Sequence, residues 1–154
     1  MGLTQLYASE QTEKRRVLIY HYDDYFGEFL ASFMQRHGYD AKYIRINSET
    51  RVQNLVEGIQ REKSDLVLLS LDFGSPFRNE NRGLEDLLPV KVITGVPIIV
   101  LDSDSRPDVY LGDSVQAGLR GADALIPLPA NPSRILGLVD EIIRLPFTPQ
   151  NFKN

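Results

Sequence analysis

The sequence predicts a three-layer α/β domain with a doubly wound, parallel five-stranded sheet, and three observations carry that prediction. Short apolar, β-branched runs recur without polar alternation, which suits strands covered by helices on both faces. Segments of helical periodicity stand between those runs. The chain has 154 residues, enough for one domain with a full core and too few for two ordinary ones.

The elements follow in order. "VLIY" (17–20) is the first strand. Phe26, Phe29, Leu30, Phe33 and Met34 then fall at i, i+3, i+4, i+7 and i+8, and Gly38 supplies a stop. "YIRI" (43–46) alternates, as a strand near an edge does. Val52, Leu55, Val56 and Ile59 repeat the helical pattern, with Ser48 as the expected N-cap. "LVLLSL" (66–71) is the third strand, followed by a helix around Gly83–Leu88. "PIIVL" (97–101) is the fourth, followed by a helix around Asp113–Arg120. After "ALI" (124–126), Asn131 caps a last helix that has Pro132 at its first position. Five βα units in sequence imply right-handed crossovers. Residues 16–145 make the domain. Residues 1–15 and 146–154 are expected to be tails, the second punctuated by Pro146 and Pro149.

Composition removes several function classes. The net charge of −4 argues against nonspecific nucleic-acid binding, which needs a basic face for phosphates. Lys14-Arg15-Arg16 is the one dense basic cluster, and it is expected to be a solvated chain end. The chain has no cysteine, so disulfides, thiolate metal sites and thiol catalysis are excluded. No apolar run approaches the ~20 residues that span a bilayer, and Met1 to Arg16 holds no signal-peptide core. A cytoplasmic protein is the expectation.

In such a sheet, ligands bind where the strands end at their carboxyl edge. The residues there are His21-Tyr22-Asp23-Asp24, Ser70-Leu71-Asp72, Asp102-Ser103 and Pro127-Leu128-Pro129.

In these segments the chain resembles the receiver domain of two-component response regulators. The carriers are "VLIYHYDDYFGEFLASFMQRHGYDA", "SDLVLLSLDFGSP", "RGLEDLL", "VPIIVLDSD", "GLRGADALIPLP" and "NPSRILGLVDEII", in the family's order. The resemblance implies the flavodoxin-like strand order 2-1-3-4-5 and a cis proline at Pro129. Receivers transfer a phosphoryl group to an aspartate, using an acidic pair for Mg²⁺, a hydroxyl and a lysine to neutralise its oxygens. Carried over residue by residue, the acidic pair falls on His21 and Tyr22, and the acceptor on Ser70. The hydroxyl position is Asp102, the lysine is Leu128 and the aromatic switch is Leu125. Every functional position differs. The resemblance therefore implies a pseudo-receiver with no catalytic residues, no metal and no cofactor.

Other readings use the same residues. Asp23 and Asp24 could replace the vacated acidic pair, but helix capping accounts for them more simply. Asp72 could be a displaced acceptor, without a lysine and with Asp102 close by. Asp23, Asp72, Asp102 and His21 together could take a divalent cation. Ser70 as a hydrolytic nucleophile lacks a Gly-x-Ser-x-Gly elbow, and His37 ends a helix on the far side.

Two loops, "LDFGSPFRNENRG" and "DSDSRPDVYLGDS", are longer than the family's and offer Phe73, Phe77 and Tyr110 as partner anchors. The last helix carries Ile135, Leu136, Leu138, Val139, Ile142 and Ile143, more apolar positions than one stripe needs. In receivers, the fourth helix, fifth strand and fifth helix form a common partner and dimer face. The expectation is a bacterial signalling module that binds protein partners, or itself, without phosphorylation and without touching nucleic acid or membrane directly. The alternative is a ligand- or metal-responsive switch at the acidic carboxyl edge, with phosphoryl acceptance at Asp72.

Overall fold

The structure, a computed structural model, describes residues 13–70, 82–102, 118 and 121–144. Its elements are β1 (Arg16–His21), α1 (Asp24–Arg36), β2 (Asp40–Arg45), α2 (Val52–Glu62) and β3 (Leu66–Ser70). α3 (Arg82–Thr94), β4 (Ile98–Asp102), β5 (Ala124–Pro127) and α4 (Pro132–Arg144) follow. All strand pairings are parallel, and the order is β2-β1-β3-β4-β5. Every residue of β3 and β4 is buried, which is why their sequences show no polar alternation. β2, at the edge, alternates and starts at Asp40, three residues before "YIRI".

Alternation along the strands divides the core into two layers. Val17, Ile19, Leu66, Leu68, Ile99 and Leu101 pack under α1 and α4, against Leu30, Met34, Ile135 and Val139. Leu18, Tyr20, Val67, Leu69, Ile98 and Val100 pack under α2 and α3, against Leu55, Ile59, Leu87 and Val90. Gly38 ends α1 at φ +95°, a left-handed conformation open to glycine. None of the described helices is long and apolar enough to cross a membrane.

Four local expectations need correction. The N-cap of α2 is Arg51, not Ser48: the Arg51 backbone N–H donates to Asn54 Oδ1 at 2.9 Å. Asn47 to Thr50 close a turn of their own, with the Asn47 N–H on Thr50 Oγ1 and the Glu49 N–H on Asn47 Oδ1. That turn uses Ser48 before the helix begins. α3 runs through Pro89 to Thr94 instead of ending near Leu88. Leu87 and Val90 on either side of the proline are fully buried, and that packing outweighs the single lost backbone donor. α1 buries Gly27, Leu30, Ala31 and Met34, which leaves Phe29 out of the core face. In α4, Ile135 and Val139 belong to the core beneath the sheet and are no part of an outer face. The helix expected around Asp113–Arg120 lies, apart from Gly118, outside the described residues.

Candidate functional site

The central strands deliver His21, Ser70 and Asp102 to one edge of the sheet. β1 and β3 run in register from Val17↔Leu66 to Tyr20↔Leu69, one step short of His21 and Ser70. Ser70 lies opposite Leu101, and Asp102 opposite Pro127. His21 is 3% exposed, while Ser70 and Asp102 are completely buried. Two neighbouring backbones seal their main chains. The Ile46 N–H donates to the His21 carbonyl at 2.9 Å, and the Leu128 N–H to the Asp102 carbonyl at 2.6 Å.

His21 fills its position with its ring. The imidazole stacks on Tyr22, centroids 4.5 Å apart and 20° between planes, and lies 4.6 Å from the tilted ring of Phe26. Its Nδ1 accepts the Asp23 backbone N–H at 3.0 Å, which assigns the neutral ring proton to Nε2. Ring area and a backbone donor thus fix the imidazole at the end of β1.

The two carboxylates that follow have other partners. Asp23 is the N-cap of α1, its Oδ1 accepting the Tyr25 N–H at 3.0 Å. Asp24 accepts from the Tyr43 hydroxyl at 2.7 Å and faces Arg45 Nη1 at 3.5 Å. Tyr43 also donates to the His21 carbonyl at 3.2 Å. Burial, reinforced by the Asp24 carboxylate, holds the Tyr43 phenol protonated well above the usual tyrosine range. Both aspartates are exposed and turned to the helix start and the β2 edge. Among the described residues, no three His, Asp or Glu side chains come together as a metal site would require.

At and just after β5, Leu125 and Leu128 belong to opposite layers of the core. Leu128 is buried with the layer under α1 and α4, and Leu125 packs half-buried against the other layer. The Leu128–Pro129 peptide bond is cis. Asp72, Phe73, Phe77 and Tyr110 lie outside the described residues.

Two features escaped the sequence reading. Tyr43 ties the β2 edge to the start of α1; its place in the alternating "YIRI" is the signal that could have found it. Leu88, Val92 and Ile93 form an exposed apolar group on α3, hidden because the helix was expected to stop at Leu88. At the opposite end of the sheet, an open cleft of about 720 Å³ includes Lys14, Arg16, Tyr39, Asp40, Lys63 and Asp65. Its charges alternate in sign and Arg16 faces Asp40 at 3.5 Å, so it is a solvated groove remote from the strand ends where chemistry would occur.

No protein-family model matches the sequence, and no curated protein sequence does. Solved structures do match. The signal receiver domain of a putative LuxO repressor protein from Vibrio parahaemolyticus superposes with a TM-score of 0.65 at 17% identity, over 86% of this chain and 92% of that one. The CheY4 chemotaxis protein of Vibrio cholerae gives 0.64 at 16% identity, over 84% and 99%. A response regulator from Thermotoga maritima gives 0.66 at 17% identity, over 85% and 98%. The fold is that of the receiver domains. At these identities the likeness extends to the fold alone, and strand order 2-1-3-4-5 agrees with the sequence expectation.

Proposed function

We propose that this chain is a pseudo-receiver: a signalling module that acts by binding protein partners, without accepting a phosphoryl group. The observation that supports this best is the packing of His21. An active receiver needs an open carboxylate pair there for Mg²⁺; this chain has a buried imidazole held between Tyr22 and Phe26. Ser70 at the acceptor position is fully buried, and Asp102 brings a carboxyl to where an anionic group would have to be received. Leu128 supplies no cation. Partner binding draws support from the apolar residues left outside, Leu88, Val92 and Ile93 on α3. On α4, Leu136, Leu138, Ile142 and Ile143 are half-buried at the core margin and remain the proposed edge of a partner face. Such a module would catalyse no reaction of its own.

The test is an amide-resolved NMR titration with Mg²⁺ followed by beryllofluoride, a phosphoryl mimic. Unmoved amides at His21, Ser70 and Asp102 are the expected result. Saturable shifts there would overturn the reading, and their loss in Asp72→Asn would assign phosphoryl acceptance to Asp72.

A further inference from the structure

We propose that the exposed face of α1 is a self-association surface whose occupant is a second copy of this chain. Tyr25 is 85% exposed and Phe29 45%. Phe33, half-buried, and His37, exposed, continue the row at four-residue spacing. The rings are already ordered against one another, with centroids 6.4 Å apart for Phe29 and Phe33 and 4.4 Å for Phe33 and His37. His37 Nδ1 is fixed by the Phe33 carbonyl at 2.8 Å. The core does not account for this ridge, because α1 meets the sheet through Gly27, Leu30, Ala31 and Met34. A ridge of preordered aromatic rings loses little conformational freedom when covered.

Charge identifies the occupant. Beside the ridge, Glu28, Ser32 and Arg36 form a second exposed row at the same spacing: acidic first, small and neutral in the middle, basic last. A two-fold interface must be complementary to itself. Antiparallel pairing of two α1 helices about an axis between Ala31 and Ser32 sets Glu28 beside the partner's Arg36, and that pair occurs twice. The same arrangement lays Phe29 on the partner's Phe33 and Tyr25 on the partner's His37. Acid-first polarity also suits the dipole of α1 itself; here it flanks an exposed aromatic ridge. A helix of 13 residues is only ~20 Å long, so the contact falls at the small end of stable interfaces. The dimer is accordingly concentration-dependent.

This surface is separate from the one on α4. It names one partner for the module proposed above without depending on the loss of phosphoryl chemistry. A Mg²⁺ response at the strand ends would sink that reading and leave this one standing.

The experiment is sedimentation velocity on the full chain from micromolar to millimolar concentration, with folding of each variant checked by circular dichroism. The expected result is a reversible dimer that Tyr25→Glu and Phe29→Glu each abolish. Glu28→Arg and Arg36→Glu should each weaken it roughly tenfold, since each reverses two symmetry-related pairs, and the double exchange should restore it. A monomer throughout the range overturns the proposal. So does a dimer that survives both glutamates, or a double exchange no better than the single ones. Tyr25 is exposed enough that its substitution leaves the fold intact even if Phe29→Glu does not.

Discussion

At the scale of single residues, Tyr20 and Gly58 govern how closely α2 approaches the sheet. Tyr20 is 2% exposed, and its hydroxyl donates to the Leu55 carbonyl at 2.8 Å, between helix and strand. Burial pushes its phenol well above the ordinary tyrosine pKa, so it stays a donor at any physiological pH. Gly58 makes room for that hydroxyl: a Cβ there would overlap the Tyr20 oxygen. In an ordinary helix position, Gly→Ala stabilises by up to ~1 kcal/mol. Here the sign should reverse, and Gly58→Ala should cost ~1–3 kcal/mol of unfolding free energy. Tyr20→Phe alone should cost ~1 kcal/mol for the lost hydrogen bond. Because the two sites share one oxygen atom, Gly58→Ala should cost less in the Tyr20→Phe background than in the wild type. Urea denaturation of the four proteins completes the cycle; additive losses would show that the hydroxyl does not set the helix position.

At the scale of elements, two junctions hold the layers. The first is the start of α1, where His21 accepts the Asp23 N–H and Asp23 in turn accepts the Tyr25 N–H. Asp23→Ala should destabilise by ~1 kcal/mol, the usual worth of an N-cap, measured by thermal unfolding. The second joins the entry of β2 to α4, where the Tyr39 hydroxyl donates to the Asp140 carboxylate. Burial, then that hydrogen bond, pushes the Tyr39 phenol up to about 12 from its ordinary 10. A group whose pKa is raised on folding stabilises fully below its unfolded value and loses that contribution as pH climbs through the folded one. The advantage of wild type over Tyr39→Phe should therefore be constant up to pH 10 and shrink between 10 and 12, read from denaturant melts along that range. Strands were legible in the sequence because β1, β3 and β4 are covered on both faces, and burial leaves continuous apolar runs. Helix ends were less so. Whether Ser48 or Arg51 caps α2 depends on the Asn47–Thr50 turn, and the passage of α3 through Pro89 depends on Leu87 and Val90 finding the core. The first is decided by local side-chain-to-backbone hydrogen bonds and the second by tertiary packing, and periodicity encodes neither.

At the scale of the whole molecule, the fold gathers His21, Ser70 and Asp102, all buried, at one edge of the sheet. The resemblance to receivers was enough to put His21, Ser70 and Asp102 at neighbouring strand ends, since it implied the order 2-1-3-4-5 that the sheet has. It did not reveal that Asp24 is taken up by Tyr43 and Arg45, contacts between segments 19 and 21 residues apart. This difference between position and environment makes the proposed lack of phosphoryl chemistry testable. Ser70→Asp supplies the residue type that receivers use as acceptor, yet places a carboxyl at a fully buried position near the end of β4, where Asp102 is already buried. No lysine stands at 128 to compensate. Burial and a second carboxyl both disfavour ionisation, so the new group should titrate above the usual carboxylate range. Its charged form should destabilise the fold by at least ~2 kcal/mol at neutral pH. With the folded pKa raised, the penalty grows as pH rises and fades as pH falls toward the ordinary carboxylate value. Urea melts of Ser70→Asp and wild type at pH 7 and pH 5 should thus converge at the lower pH, and beryllofluoride should leave the variant's stability unchanged. A variant as stable as wild type at pH 7, and stabilised further by Mg²⁺ with beryllofluoride, would mean that the strand ends still form a working phosphoryl site.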